Sequence, residues 1–431
     1  MIEGTGNVHA GSAGPVILPR SEHTISRRDI DPDALKILFR LQRLGFTAYL
    51  TGGAVRDMLL GRTPKDFDIA TDARPNQIRK YFANAFIIGR RFRLAHIRFR
   101  GGKTIEVATF RRDPGPVAEG AGPGESAPAY AFGTPEEDAW RRDITVNALF
   151  YDPATATVID HVGGVADLRQ GRIRMIGDAG VRFGEDPVRI WRVIRYAARL
   201  GFAIDADIGA AIREQRDLLC GCSEARLYEE FSKDLLGPQT RAVVSLLGEY
   251  GVLRLLLGRI GEAYESDPAL AAELAALLEI ADREKMRAPA QAGREGGDVS
   301  LEETACLLFW PWAAPQIGTS GADPFPLLKK AFLGAGMAVA LPKGMRAQVI
   351  DLLTLAARLA RALQDGRMRW SVRQRPQYAL ASRLCFIVTQ RRAPAEGESF
   401  ETLYQGAFPG QPAAAGRPRR RRGRRSKPAA Q

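Results

Sequence analysis

The stretch that decides the fold begins at residues 50–57, which read LTGGAVRD, and continues at residues 66–68, which read DFD. In residues 50–57 a short strand runs into Gly52 and Gly53 and then opens a helix. Glycines let the backbone approach a ligand closely, and a helix start offers free N–H groups and positive partial charge, so a triphosphate fits this turn. Arg56 lies in the first helical turn, where it can reach a phosphate or pair with the adjacent aspartate. Taken alone the pattern is weak, because most such turns are only structural.

Asp66 and Asp68 provide a place for a divalent cation. They are separated by one residue on a predicted strand, which puts both carboxylates on one face, about 6–7 Å apart, and points Phe67 into the core. Two like charges on one face repel each other, and a cation between them offsets the repulsion. Oxygen ligands beside a phosphate favour Mg²⁺. An isolated D-x-D is more often a solvated strand end, but its place a dozen residues after the Gly-Gly turn favours a metal site.

Glu106 extends this acidic set. In residues 104–108, TIEVA, the apolar Ile105 and Val107 face one side of a predicted strand and Glu106 faces the other. A third carboxylate on a neighbouring strand completes a two-metal site, in which one metal activates a hydroxyl nucleophile and the other stabilises a leaving pyrophosphate. Glu106 can also accept the hydroxyl proton. The local pattern alone is equally consistent with an exposed strand glutamate.

The rest of the chain predicts an α+β fold. The 431 residues, 45% hydrophobic and 26% charged, are typical of a folded protein with several packed units. Short strands and helices fill the first part, with two alternating strands in residues 96–110 and a long loop at 113–135, and the chain is almost entirely helical from Asp186 onward, interrupted near 287–298 and 311–326. The predicted divisions are an irregular leader (1–31), a head with a small mixed sheet (32–170), an all-α neck (171–245) and body (246–408), and a disordered Arg-rich tail (409–431).

Positive charge is concentrated at the end of the sequence. The net charge is +13, and residues 417–427, RPRRRRGRRSK, carry eight basic side chains and no acidic one. Such a segment attracts polyanions by counterion release, without sequence preference. A solubilising tail and a contact with an anionic membrane surface are the other interpretations.

Membrane-spanning, secreted and disulfide-rich classes are excluded by simple counts. The sequence has no run of about 18 uncharged apolar residues and no apolar signal segment at its start. Four cysteines, two of them in a lone C-x-C at Cys220 and Cys222, favour neither a disulfide scaffold nor a zinc site. We therefore expect a cytoplasmic protein with reduced thiols and no membrane partner.

With GGAVRD and DFD in place, the sequence resembles the nucleotidyltransferase head shared by bacterial poly(A) polymerases and CCA-adding tRNA nucleotidyltransferases. The resemblance continues through residues 141–148 (RRDITVNA), 160–168 (DHVGGVADL) and 185–189 (EDPVR), and it covers roughly residues 17–240. Residues 87–97 (IIGRRFRLAHI), the leader stretch 18–23 and the Arg-rich tail are similar to the poly(A) branch.

The resemblance implies a role for each matching residue. Gly52, Gly53 and Arg56 would hold the triphosphate, and Asp66 and Asp68 would bind the metal ions, with Glu106 as the third catalytic carboxylate. The other implied contacts are with ribose and phosphates (Arg141, Arg142, Asp143, Asn147), with the base edge (Asp186, Arg189) and with RNA (Arg90, Arg91, Arg192, Arg226 and the tail arginines Arg419, Arg420, Arg421 and Arg422).

The local pattern around residues 185–189 supports the base-reading roles. Pro187 suits the first position of a helix, which makes Asp186 its N-cap, and this capping role needs no ligand. Arg189 carries a planar guanidinium that suits a base edge. Arg192, Arg195 and Arg199 follow on one helix face and contact RNA phosphate or pair with acids elsewhere. His96 is interpreted as a structural residue without a role in proton transfer.

We therefore expect template-independent addition of AMP from ATP to RNA 3′ ends, with Mg²⁺ as cofactor, by a monomer that serves RNA processing and decay and can meet RNA-decay proteins. One alternative is CCA addition to tRNA. The other is a catalytically silent RNA-binding protein, against which the intact carboxylate set argues.

Overall fold

The computed structural model describes residues 14–89, 93–112, 131–287, 299–317, 322–365 and 370–393. The chain divides into two compact units, Met1–Ser266 with Met337–Ala340, and Asp267–Gly336 with Leu341–Gln431. The division at Ser266 falls inside the region predicted as the body. The first unit contains every described strand, and the second contains only helices among its described elements. The expected α+β class with a mostly helical remainder is confirmed.

The main sheet of the first unit has eight strands among the described residues, in the order β1-β10-β9-β2-β3-β6-β5-β4. Its β3–β6 pair is parallel and its other pairs are antiparallel. Two short pairs, β7 with β8 and β11 with β12, lie outside it. The strands are β1 (Val16–Leu18), β2 (Ala48–Thr51), β3 (Asp68–Thr71), β4 (Ala85–Ile88), β5 (Leu94–Arg98), β6 (Thr104–Thr109), β7 (Arg111–Arg112), β8 (Ala131–Phe132), β9 (Leu149–Asp152), β10 (Thr157–Asp160), β11 (Arg172–Ile173) and β12 (Ala203–Ile204).

Helices follow these strands and form most of the remaining structure. In the first unit they are α1 (Pro32–Arg43), α2 (Gly53–Leu59), α3 (Pro75–Tyr81), α4 (Pro135–Trp140), α5 (Gly164–Gln170), α6 (Ala179–Glu185), α7 (Val188–Leu200), α8 (Ala206–Gln215), α9 (Glu224–Leu236), α10 (Thr240–Glu249), α11 (Leu253–Leu257) and α12 (Arg259–Ser266). In the second unit they are α13 (Pro268–Arg287), α14 (Leu301–Ile317), α15 (Pro324–Leu333), α16 (Lys343–Asp365), α17 (Trp370–Arg373) and α18 (Tyr378–Gln390). No described helix meets the length and hydropathy needed to cross a bilayer.

The two faces of the main sheet are covered differently. Helices α1 and α3 pack on it and bury apolar side chains at helical spacing, as the pattern before Gly45 predicted. On the other face an aromatic cluster around Phe110 and Phe150 covers the half near β2 and β9. The half formed by β4, β5 and β6 carries exposed side chains on that face. The sheet therefore has an open area next to a packed one.

One predicted interruption of the helices starts later than expected, although the junction between α14 and α15 falls within it. The sequence predicts an interruption at residues 311–326, but α14 continues through Pro311 and Pro315 to Ile317. Nearly every residue of α14 between Glu303 and Ala313 is buried, so packing on all sides offsets the hydrogen bonds that the prolines remove. Residues 288–298 and 113–130 lie outside the described residues, and the end of the predicted loop forms β8 and the N-cap of α4.

Candidate active site

The register of the main sheet places two of the three predicted carboxylates, Asp68 and Glu106, in one transverse row. Thr51, the last residue of β2, pairs with Asp68, the first residue of β3. The parallel pairing of Ile69 with Val107 puts Asp68 beside Glu106 on the same face, since each lies one residue earlier on its strand. Glu106 in turn pairs with His96 on β5. The Gly-Gly turn that follows Thr51 therefore lies next to Asp68 and Glu106, as the sequence predicted.

The charge of the Asp68 carboxylate is only partly compensated. Its pKa is raised from 3.8 to about 6, because surrounding protein atoms desolvate the group and the negative charges of Glu106 and, less strongly, Asp66 act on it. The positive charge of Arg142 acts in the opposite direction. Residue Asp68 is nevertheless exposed to solvent, although many protein atoms surround its carboxylate. Perturbation of this kind at the end of a strand marks a candidate functional site.

Asp66 and Phe67 differ from the prediction. The strand begins at Asp68, so Asp66 precedes it in an irregular segment and is exposed, and Phe67 is only half-buried instead of lying in the core. The side chain of Glu106 points away from the buried Ile105 and Val107, as predicted, and its Oε1 lies 3.2 Å from Nε2 of His96. Within the described residues no three acidic, His or Cys side chains converge at metal-binding distance.

The Gly-Gly turn has a backbone shape that requires glycine. Gly52 has φ +73° and ψ −136°, a conformation that other residues rarely adopt, and it begins the seven-residue helix α2. A Cβ at Gly52 would lie 3.4 Å from Nη1 of Arg142, and a Cβ at Gly53 would lie 3.4 Å from Nη2 of Arg56. Two guanidinium groups therefore border the turn and supply positive charge that so short a helix does not.

Both arginines are held by Asn147, which lies near the end of the RRDITVNA stretch. Arg56 donates to Oδ1 of Asn147 and pairs with the adjacent Asp57. Arg142 donates to the carbonyl oxygen of Asn147 at 2.9 Å and pairs with Asp138 at 3.0 Å. Asn147 therefore aligns the two guanidinium groups at the turn. The contribution of Asp138, a buried carboxylate on α4, was missed, and its position four residues before Arg142 was the available indication.

A second supporting residue was also missed. Asp160 is 2% exposed, and its carboxylate accepts four backbone N–H groups, from residues 162–165, at 2.9–3.0 Å. These bonds order the turn at Gly164, where a Cβ would lie 2.3 Å from the carbonyl oxygen of Thr145. The close approach fixes the short 3₁₀ turn Thr145–Asn147 that presents Asn147. In the sequence Asp160 was noted only as part of the resemblance.

Asp143, the third residue of the RRDITVNA stretch, connects the head to α7. It accepts from Nε of Arg189 at 2.8 Å and from Nη1 of Arg192 at 3.2 Å. Arg189 also donates to Glu185 at 2.7 Å and to the carbonyl oxygen of Arg182 at 2.9 Å, and its pKa is raised because these acidic partners outweigh the desolvation that lowers it. Arg182 in turn donates to the carbonyl oxygen of Arg141. Arg189 is thus held in one orientation.

Asp186 lies one residue outside its predicted place. Helix α7 begins at Val188 with Pro187 as its N-cap, and Asp186 ends α6 instead, although Oδ1 of Asp186 still accepts from the N–H of Val188 at 3.3 Å. Helix boundaries commonly shift by one residue in this way. The carboxylate also pairs with Nη2 of Arg226 on α9 at 2.8 and 2.9 Å. Asp186 and Arg226, predicted as base-reading and RNA-binding residues, therefore contact each other.

The remaining predicted arginines fall into two groups. Arg195 is 4% exposed and pairs with Glu230 and Asp234 of α9, and Arg199 lies 3.6 Å from Asp234, so the acid-pairing alternative holds for both. Arg192 pairs with Asp143 and, at 3.4 Å, with Glu230. The other predicted RNA-binding residues lie outside the described residues: Arg90, Arg91, Arg419, Arg420, Arg421 and Arg422.

Comparison with known proteins places this geometry among nucleotidyltransferases. Residues 48–174 match the family model described as "Poly A polymerase head domain", and residues 201–261 match "Probable RNA and SrmB- binding site of polymerase A". The chain is 36% identical over 402 residues to Poly(A) polymerase I of Salmonella typhi, covering 89% of this chain and 83% of that protein. It is 43% identical over 246 residues to Poly(A) polymerase I of Haemophilus influenzae, covering 56% and 54%.

Similarity to CCA-adding enzymes is shorter. The chain is 37% identical over 214 residues to the CCA-adding enzyme of Bacillus pumilus, covering 50% of this chain and 52% of that protein. A solved tRNA nucleotidyltransferase complexed with a primer tRNA and an incoming ATP analog shares the fold at 24% identity, with a TM-score of 0.56, covering 82% of this chain and 94% of that chain. A tRNA-processing enzyme with CTP gives a TM-score of 0.59 at 21% identity, covering 86% and 90%.

Proposed function

The chain belongs to the bacterial poly(A) polymerase family and is a polynucleotide adenylyltransferase, and we propose that the row of Asp68 and Glu106 beside the Gly-Gly turn is the centre at which it transfers AMP. The reaction is template-independent addition of AMP from ATP to RNA. The match to poly(A) polymerase I along 89% of the chain, against 50% for a CCA-adding relative, favours this over CCA addition. A silent RNA-binding protein is not consistent with the family or with the retained carboxylates.

The acidic side chains fit a divalent metal. Carboxylate oxygens are the ligands that Mg²⁺ prefers, and the raised pKa of Asp68 reports desolvation and negative charge that Arg142 offsets only in part. We assign Asp66 and Asp68 as the residues that would hold Mg²⁺, with Glu106 beside them. When bound, the metal supplies Lewis-acid stabilisation of charge on the nucleophile and on the leaving pyrophosphate.

The protein's own residues position the reacting groups. The RNA 3′-hydroxyl attacks the α-phosphate of ATP, forming a new P–O bond as the bond to the β-phosphate oxygen breaks and pyrophosphate leaves. Glu106 lies where it can accept the hydroxyl proton, since it faces the open side of the sheet. Arg56 and Arg142 border the Gly52 turn and offset the triphosphate charge. Catalysis then rests mainly on orientation and charge neutralisation.

Nucleotide selection is assigned to the junction of α6 and α7. Arg189 is held by Asp143, Glu185 and a backbone carbonyl, so its remaining N–H groups keep one direction toward a base edge. Asp186, two residues before the first turn of α7, would accept from the base. Arg141, Asp143 and Asn147 would contact or support the ribose and phosphates.

RNA contact is assigned to the helices that follow and to the tail. The region matched by the RNA-binding family model, residues 201–261, includes α9, on which Arg226 lies. The arginine-rich stretch with Arg419, Arg420, Arg421 and Arg422, and Arg90 and Arg91, would add electrostatic affinity without sequence preference. The proposal places the enzyme in the cytoplasm, where ATP and RNA 3′ ends occur together, and RNA-decay proteins remain candidate partners.

One assay tests the proposed centre. A radiolabelled single-stranded RNA primer is incubated with the protein and each nucleoside triphosphate in turn, with and without Mg²⁺. We expect long products with ATP alone, only with the metal, and none with Asp68→Asn. Addition of C, C and A to a tRNA lacking its end would instead support the CCA reaction, and normal extension by Asp68→Asn would contradict the assignment of the carboxylates.

A further inference from the structure

We propose that the open area of the main sheet beside the carboxylates is a stacking platform for the single-stranded 3′ end of the RNA, with Phe86 as its aromatic surface and Arg98 as its cation. The inference deepens the proposed function, since it states where the RNA lies before its 3′-hydroxyl reaches Glu106. Neither residue is part of the centre assigned above. Both belong to the hairpin of β4 and β5.

The sheet register carries the placement. Phe86 on β4 pairs with His96 on β5, which pairs with Glu106 on β6, and Glu106 lies beside Asp68 on β3. Residues paired across neighbouring strands point to the same face, so the ring of Phe86 lies in the same row and on the same side as the two carboxylates. The row from Asp68 to Phe86 crosses three strand spacings, about 14 Å. A stacked strand rises about 3.4 Å per nucleotide, so the last few nucleotides of an RNA span this distance.

The surface has the composition of a nucleic-acid contact. Phe86 is 49% exposed and Ile88, two residues further on the same edge strand, is 40% exposed, which is unusual for large apolar side chains next to a charged site. The guanidinium carbon of Arg98 lies 4.6 Å from the centroid of the Phe86 ring. Aromatic rings and arginine planes are the groups on which unpaired bases stack.

Charge distinguishes RNA from a protein partner here. In the part of the chain that the structure describes, no carboxylate pairs with Arg98, so its positive charge is available to a phosphate. An apolar contact alone would also suit a second copy of the chain. Continuity with the row that ends at the carboxylates favours RNA, because the attacking hydroxyl has to arrive at that point on this face.

The inference also gives a structural meaning to the stretch that favoured the poly(A) branch in the sequence. That stretch, residues 87–97, covers the end of β4 and most of β5, and its described residues build the hairpin that carries the platform. His96 lies between the platform and the carboxylates and contacts Glu106.

The test compares Phe86→Ala with a matched control, Ile17→Ala. Ile17 lies in the same row and on the same face, at the opposite edge of the sheet, and is 56% exposed. Binding of a fluorescent single-stranded oligoadenylate is measured by anisotropy without nucleotide, and KM for RNA and for ATP by AMP incorporation. Phe86→Ala should raise Kd and KM for RNA about tenfold and leave KM for ATP unchanged, and Phe86→Tyr should restore binding.

Arg98→Gln gives an independent readout. It should weaken RNA binding about threefold and reduce the slope of log Kd against log salt by about 0.7, the change expected for one phosphate on a single strand. Equal RNA affinity for Phe86→Ala and Ile17→Ala would overturn the proposal. So would a change in sedimentation of Phe86→Ala with unchanged RNA affinity, which would assign the surface to a second copy. Because affinity is measured without ATP, failure of AMP transfer in the parent protein would contradict the proposed function alone.

Discussion

Two regions of the first unit hold clustered charges, and the pKa values of their acidic groups shift in opposite directions. At the start of β3, Asp68 lies beside Glu106 with Asp66 nearby, and the pKa of Asp68 is raised because desolvation and like charges act together. Between α7 and α9, Glu230 and Asp234 are buried at 2% and 3% exposure, yet burial is outweighed by Arg195, and the pKa of Glu230 is lowered. Buried acids that are fully paired with arginine form a scaffold, and crowded acids whose charge is only partly offset form a site.

The scaffold region shows what full compensation requires. Arg195 donates to both Glu230 and Asp234, and Nε1 of Trp191 donates to Asp234 at 2.6 Å. The pKa of Arg195 is raised, since these two acids overcome the desolvation that lowers it. The network joins α7, which carries Arg189, to α9, which carries Arg226. It therefore fixes the helices that present the proposed base-reading side chains without taking part in the reaction.

The largest effect should come from removing charge where it is only partly compensated. Asp68→Asn keeps the shape of the side chain but removes a proposed metal ligand, so AMP incorporation should fall on the order of 10³-fold or more. Single-turnover extension of an RNA primer measures the loss. The circular dichroism spectrum and the RNA affinity of Asp68→Asn should match those of the parent protein. If Asp68→Asn extended RNA at a near-parental rate, the carboxylates would not form the reacting centre and the contrast between the two regions would fail.

A change in the compensated region should instead affect stability. Arg195→Met leaves Glu230 and Asp234 buried without their shared partner, and it should lower the free energy of unfolding by about 3–5 kcal/mol. Urea denaturation measures this difference. The matched control is Lys36→Met on α1 of the same unit, whose 73%-exposed side chain pairs with Asp33 and should contribute less than about 1 kcal/mol. Equal destabilisation by the two variants would contradict the scaffold role.

The sequence predicted these two regions unequally well. Gly52, Asp68 and Glu106 could be predicted because each depends on short-range pattern: a two-glycine turn, and alternation that leaves one face of a strand polar. Their convergence followed once the strands were expected to be neighbours. The prediction that Asp66 lies on the strand was wrong, because the ends of a strand depend on its pairing partners, which a local pattern does not contain.

The α7–α9 network could be predicted only in part. The spacing of Arg192, Arg195 and Arg199 shows that they share a helix face, but their partners lie 34 to 49 residues away in sequence, on elements whose packing is not encoded locally. The pairing of Asp186 with Arg226 across 40 residues was missed for the same reason. The continuation of α14 through two prolines likewise depends on burial by neighbouring helices.

The partly compensated charge should also be visible as a pH-dependent stability difference. The folded-state pKa of Asp68, about 6, lies above its ordinary value of 3.8, so the folded chain binds this proton more readily and the stability it contributes below pH 3.8 is lost as pH rises through about 6. In metal-free buffer at pH 7.5, Asp68→Asn should therefore be more stable than the parent by on the order of 1 kcal/mol, after allowance for solvent screening. Thermal denaturation at pH 7.5 and pH 4 measures the difference. It should shrink several-fold at pH 4, and a destabilised Asp68→Asn at pH 7.5 would contradict it.

The smallest effect is expected where the two regions meet, at Arg192. Its guanidinium is 32% exposed and divides its contacts between Asp143, at the proposed site, and Glu230, in the network. Arg192→Gln should cost less than about 1 kcal/mol of stability, because Arg195 still pairs with Glu230. KM for ATP should rise about two- to threefold, since Asp143 loses one of its two arginine partners, a change of about 0.5 kcal/mol. Two measurements separate the possibilities: steady-state kinetics with varied ATP, and RNA binding without ATP. A raised KM for ATP with unchanged RNA affinity identifies Arg192 as the link between scaffold and site. Weaker RNA binding with a reduced salt slope would instead support the RNA-binding role that its sequence pattern also allowed.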